Sequence, residues 1–193
     1  MAATRHTVDG AGTIPASSLD FEHDFAVQFG AIVPRRAGVI EVISGHPFAA
    51  RPRLWARRPS QVEAWLWGSR THRRLPGDHC WLYFHQPRRF PNFLVVSYVL
   101  STRQTSLATI RVTLALLDLL AERKRTDALL CDVATARISD RALARWGWEP
   151  LAPSRWHRRH IKRFYGKYDV DEALLAPSRA ALESATSQLA LSR

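Results

Sequence analysis

Residues 93–133 read FLVVSYVL STRQTS LATIRVTLALLDLLAERKRTD ALLCDV, and this stretch decides the fold. Phe93 to Leu100 is a continuous apolar run rich in β-branched and aromatic residues, the mark of a strand covered on both faces. Ser101 to Ser106 is a polar hinge. From Leu107 the period changes: Leu107, Ile110, Leu114, Leu117 and Ala121 fall on one helical stripe, with Arg111, Asp118 and Glu122 elsewhere. The last turn, Glu122 to Arg125, sets three cations at the negative end of the helix dipole. Ala128 to Val133 then reads as another buried strand. Strand, helix and strand in succession imply a parallel crossover, and ligands bind such sheets where the helix N-terminus lies beyond the strand end. Topology alone puts a candidate site at Ser101 to Thr109.

Working outward, Cys80 to His85 is a second apolar run after the turn signal Pro76-Gly77-Asp78, and it precedes Phe93 to Leu100 as an antiparallel partner. Downstream, Ile138 to Trp146 is a short helix with Ser139 as N-cap candidate and Gly147 as its stop. Trp148 to Leu151 and His160 to Tyr168 read as strands around the basic turn Pro153 to Arg159. Upstream, a helix starts at Ser17 or Ser18, carries Phe21, Phe25, Phe29 and Ile32 at helical spacing, and ends before Pro34. Val39 to Ile43 is a strand closed by Ser44-Gly45-His46-Pro47. Arg51 to Pro59 reads as a loop, and Gln61 to Trp67 fits strand and helix equally. The expected organisation is a flexible leader over 1–16, one domain over 17–168, and an Ala-rich helix or disordered tail over 169–193. From 80 to 168 the order is β, β, α, β, α, β, β: an α/β fold with a mixed central sheet flanked by helices.

A chain of 193 residues suits one domain, and its 46% apolar content excludes wholesale disorder. No run approaches the roughly 18 apolar residues of a membrane span. Two cysteines, Cys80 and Cys131, make no disulfide framework, and with no signal-peptide pattern a cytoplasmic setting is expected. The net charge of +11 suits an anionic partner. However, 28 basic residues comprising 25 Arg and 3 Lys also fit a merely solvated surface.

Arg103-Gln104-Thr105-Ser106-Leu107-Ala108 opens the long helix with small and hydroxyl residues, so backbone N–H groups there could cradle a diphosphate. An ordinary Ser-capped helix start explains the same residues. The order of elements, this loop, and Trp146-Gly147-Trp148-Glu149 together resemble the GNAT superfamily of CoA-dependent N-acyltransferases, over roughly Cys80 to Tyr168. In that family the loop runs Gln or Arg, two of anything, Gly, one of anything, then Gly or Ala. Arg103 fills its first position, Ser106 stands for the first Gly, and Ala108 fills the last.

The resemblance implies acetyl-CoA as co-substrate. The pantetheine arm would pair with backbone at Val96 to Tyr98, and N–H groups from Arg103 to Ala108 would hold the pyrophosphate. An amine on a small molecule or protein would attack the thioester. The family's proton-donating Tyr falls at Leu143 here, and Asp132 is the one acid available as base on the neighbouring strand. Two other functions stay open: a GNAT-like binding protein without turnover, and a nucleic-acid module built on the Arg surface.

Each candidate has a plainer role. Asp132 also suits an ion pair with an Arg. Tyr83 and His85 share a strand face and could line an acceptor pocket or only pack. His79-Cys80 and His157 to His160 lack zinc spacing, so no metal is expected. Arg155 to Lys167 mixes cations with aromatics as a single-strand binding surface does, but its alternation yields no clean basic face and suits a solvated edge hairpin.

Overall fold

The computed structural model describes residues 18–53, 76–133, 138–151 and 158–175. Helix α1 (Ser18–Ile32) leads into β1 (Ala37–Ile43) and β2 (His46–Pro52). Next come β3 (His79–His85), β4 (Phe93–Ser101), α2 (Leu107–Lys124) and β5 (Ala128–Val133), then α3 (Asp140–Arg145), β6 (Glu149–Pro150) and β7 (Arg158–Arg163). The seven strands form one mixed sheet in the order β2-β1-β3-β4-β5-β7-β6. Among the described strands only β4 and β5 run parallel, joined by α2 as the crossover read from residues 93–133. The fold is α/β, with a mixed sheet flanked by helices.

One core lies between the helices and one sheet face. It gathers Phe25, Phe29 and Ile32 from α1, Ile40 and Val42 from β1, Leu82 and Phe84 from β3, Leu94 and Val96 from β4, and Leu129 from β5. Helix α2 adds Leu116, Leu117, Leu119 and Leu120, all fully buried and each contributing about 1.5–3 kcal/mol. Its burial reaches round the helix from Ala115 to Ala121, wider than the expected stripe, and Leu107 at its start is 65% exposed. Ser106 caps it by accepting from the Thr109 N–H, and Arg125 ends it in the left-handed region (φ 53°).

Several expectations need correction. Neither β3 nor β4 is covered on both faces among the described residues: β3 alternates buried and half-buried side chains, and on β4 Ser97 and Val99 are exposed. Antiparallel strands with one face on the core give this alternation. Ser44 and Gly45 do not end a lone strand; both have positive φ (50° and 78°) and turn a two-residue hairpin into β2, which extends into the expected loop at Arg51. β7 stops at Arg163 because Tyr165 and Gly166 turn with positive φ, and with β6 it makes the antiparallel pair that ends the sheet. Leu175 belongs to the core. The leader over 1–16, Gln61 to Trp67 and the tail beyond 175 lie outside the described residues. No helix among the described residues is long and apolar enough to cross a membrane.

Candidate functional site

The ladder between β4 and β5 is short. It pairs Phe93, Leu94, Val95 and Val96 with Ala128, Leu129, Leu130 and Cys131 and then ends, although β4 continues to Ser101. A bulge explains the parting. Against β3, Tyr83 pairs with Tyr98 while Phe84 pairs with Val96, so Ser97 is the extra residue that bends β4 at the last rung. Among the described residues, β4 from Ser97 to Ser101 keeps β3 on one edge and has no ladder to β5 on the other. The wedge so formed opens toward the start of α2.

Val96 is the last rung of the ladder and its side chain is buried, so the unpaired edge begins one residue later than the sequence suggested. Tyr98 lies on that edge, with its half-buried side chain on the sheet face away from the core. Arg103, Gln104, Leu107 and Ala108 are exposed at the mouth, while Thr105 and Ser106 are half-buried. Asp132 follows Cys131 on β5, at the other wall of the wedge. There it faces Arg159 of β7 at 3.4 Å, both side chains being 57% exposed.

Asp78 is a residue that sequence reasoning missed. One carboxylate oxygen accepts the Ser106 N–H at 3.0 Å and the other accepts the Thr109 hydroxyl at 2.7 Å. Thr109 in turn accepts the Gly45 N–H at 2.8 Å, tying the β1–β2 turn to the helix start. Burial pushes the Asp78 pKa up, but hydrogen bonds from Ser106 and Thr109, with His79 nearby, outweigh it and hold the carboxyl below its usual range. Pro76-Gly77-Asp78 signals only a turn; that it closes over the helix start follows from Thr102, whose hydroxyl donates to the Gly77 carbonyl. The helix N-terminus therefore already holds a negative charge of the chain's own.

A separate cavity of about 420 Å³ lies between α2, α3, β7 and the segment after it, lined among others by Arg111, Trp146, Trp148 and Asp171. Its floor is the ion pair of Lys162 and Asp118 at 2.8 Å, the side chains 11% and 10% exposed. Burial, against the pull of Lys162, pushes Asp118 up to about 6. Burial also pushes Cys80 to about 11 and Cys131 to about 12, so neither thiol is a ready nucleophile at neutral pH. Among the described residues no group of His, Cys, Asp and Glu is placed to hold a metal ion. His157 and most of the basic turn lie outside the described residues.

Compared with known proteins, the chain matches no protein-family model and no curated protein.

Proposed function

We propose that the protein is a CoA-dependent N-acyltransferase of GNAT type, which moves the acetyl group of acetyl-CoA to an amine. The observation that carries this reading is the wedge. Two parallel strands pair through four rungs, part at the Ser97 bulge, and face a helix start across the gap. An extended chain of amides fits such an edge by adding a strand, with hydrogen bonds from Ser97 to Ser101. Here the pantetheine arm is that chain.

The diphosphate fits less freely. The Ser106 N–H is already bonded to Asp78, which leaves Arg103, Gln104, Leu107 and Ala108 at the exposed mouth. Ser106 replaces a close backbone approach with a side chain, and that side chain is spent on the Thr109 N–H. When bound, acetyl-CoA supplies the activated acyl group. The chain's part is to orient the thioester at the bulge and to expose it to the amine.

Leu143, buried in the core, favours a second reading, in which the wedge binds CoA without turnover. Titration calorimetry with acetyl-CoA tests both. We expect micromolar binding that Ala108→Glu abolishes and Asp78→Asn strengthens about fivefold, the equivalent of about 1 kcal/mol of relieved charge repulsion. No binding at millimolar acetyl-CoA overturns the proposal; binding without thiol release from acetyl-CoA across a panel of amines favours the second reading.

A further inference from the structure

Transfer of acetyl from a thioester to an amine leaves a thiolate that needs a proton. Leu143, 5% exposed and part of the core, offers none. The sheet face opposite the core carries a better group. Tyr98 and Tyr83 stack there with ring centroids 4.1 Å apart. Arg53, just past β2, donates from Nη1 to the Tyr98 hydroxyl at 3.3 Å and holds its guanidinium carbon 5.1 Å from the Tyr83 ring centroid. Tyr98 is the first residue beyond the Ser97 bulge, at the apex of the wedge.

From this geometry we infer that Tyr98 is the proton donor to the departing thiolate, a catalytic assignment that rests on the acetyl-CoA reading above. The amine nitrogen bonds to the carbonyl carbon and the carbon–sulfur bond breaks. Sulfur keeps the electron pair and takes the phenolic proton of Tyr98. The amine releases one proton to solvent, from which the phenolate is restored, so the products are an amide and the free thiol.

Arg53 is aimed at the oxygen that carries negative charge after donation, where a charge-assisted hydrogen bond is strongest. A hydroxyl that accepts from Arg53 still has its own hydrogen to give. Burial, and then the neighbouring Tyr98, push the Tyr83 hydroxyl above its ordinary pKa despite Arg53, so Tyr83 keeps its proton while Tyr98 cycles. Among the described residues this face also carries Glu41 of β1, which raises Tyr83 further, and His85 of β3, whose Nδ1 lies 2.9 Å from the Ser97 hydroxyl, with His79 of β3 and the exposed Asp132 of β5 farther from the pair.

The test compares wild type, Tyr98→Phe and Arg53→Gln in two measurements: acetyl-CoA affinity by calorimetry, and the rate of thiol release. The amines are spermidine, tyramine, free lysine and a lysine-containing peptide. Tyr98→Phe keeps the ring stack, so its affinity should stay within about twofold while thiol release falls about 10²-fold. Arg53→Gln leaves both rings in place and should slow release about tenfold.

A Tyr98→Phe protein that binds acetyl-CoA and keeps the wild-type rate of thiol release overturns the assignment. So does a wild type that binds acetyl-CoA yet releases no thiol with any of these amines. A wild type that does not bind removes the acetyl-CoA reading itself, and the assignment falls with it.

Discussion

Asp118 shows how far one buried carboxylate departs from what its place in the sequence suggests. The helical pattern sets it off the apolar stripe of α2, yet it is 7% exposed and bonded to Lys162 of β7. Desolvation outweighs the attraction of its partner, a common balance for buried pairs. Its folded pKa of about 6 stands above the ordinary 3.8, so the folded chain favours the protonated carboxyl. The stability this contributes is complete below pH 3.8 and is lost as the pH climbs through about 6. Urea unfolding from pH 4 to 7.5 should therefore show wild type losing stability relative to Asp118→Asn across that window, then running parallel to it. A difference that grows in favour of wild type with rising pH contradicts the account. Gly38 makes a second residue-scale case: a Cβ there would lie 2.7 Å from Phe84 Cζ, in a ring that is only 2% exposed. Gly38→Ala should cost about 1–3 kcal/mol by overpacking, read as a lower urea midpoint.

At the scale of elements, the most legible parts were those whose signal is local. The crossover from Phe93 to Val133 announces itself through a change of period, and Ser106 and Ser139 cap their helices because a hydroxyl before an apolar run has few other uses. Strand β2 was hidden because Pro47, Arg51 and Pro52 mimic a loop, whereas an edge strand tolerates proline and charge on its open side. The bulge at Ser97 was hidden for a different reason. It is defined by register between Tyr83 and Tyr98, strands apart in sequence, and no local pattern encodes it. The wedge and the tyrosine stack both depend on it, so the candidate site was legible as a loop and illegible as a cleft. Arg125 offers a test of local backbone cost. It holds φ 53° at the end of α2, where its N–H bonds the Ala121 and Glu122 carbonyls, a conformation glycine adopts without penalty. Arg125→Gly should stabilise by about 0.5–1 kcal/mol and raise the melting temperature by about 1–4 °C. No gain would mean that the arginine side chain offsets the backbone strain.

For the molecule as a whole, the open question is what a net charge of +11 does. Arginines are drawn into pairs: Arg111 with Asp171, Arg158 with Asp140, Arg159 with Asp132, and Arg163 with Glu149. In each pair at least one side chain is more than half exposed, so each contributes only about 0–1 kcal/mol and weakens as salt is added. Self-repulsion among the excess cations works the other way. It opposes the compact state by an amount on the order of several kcal/mol at low salt, and it too fades once the Debye length shrinks to about 10 Å. The two effects predict opposite responses, and their sizes say which prevails. Raising NaCl from 10 to 200 mM, about a threefold cut in Debye length or more, should raise the melting temperature by several degrees, because repulsion relieved exceeds pairing lost. A fall in melting temperature over that range would mean that the paired arginines hold the sheet's β5–β7 side together more firmly than their exposure allows. The same titration bears on partners. Oligonucleotides held only by the diffuse cationic surface would dissociate over this salt range with a steep slope of log K against log salt. Acetyl-CoA held in the wedge by amide pairing at Ser97 to Ser101 should lose far less affinity, since only its phosphates answer to the screened field.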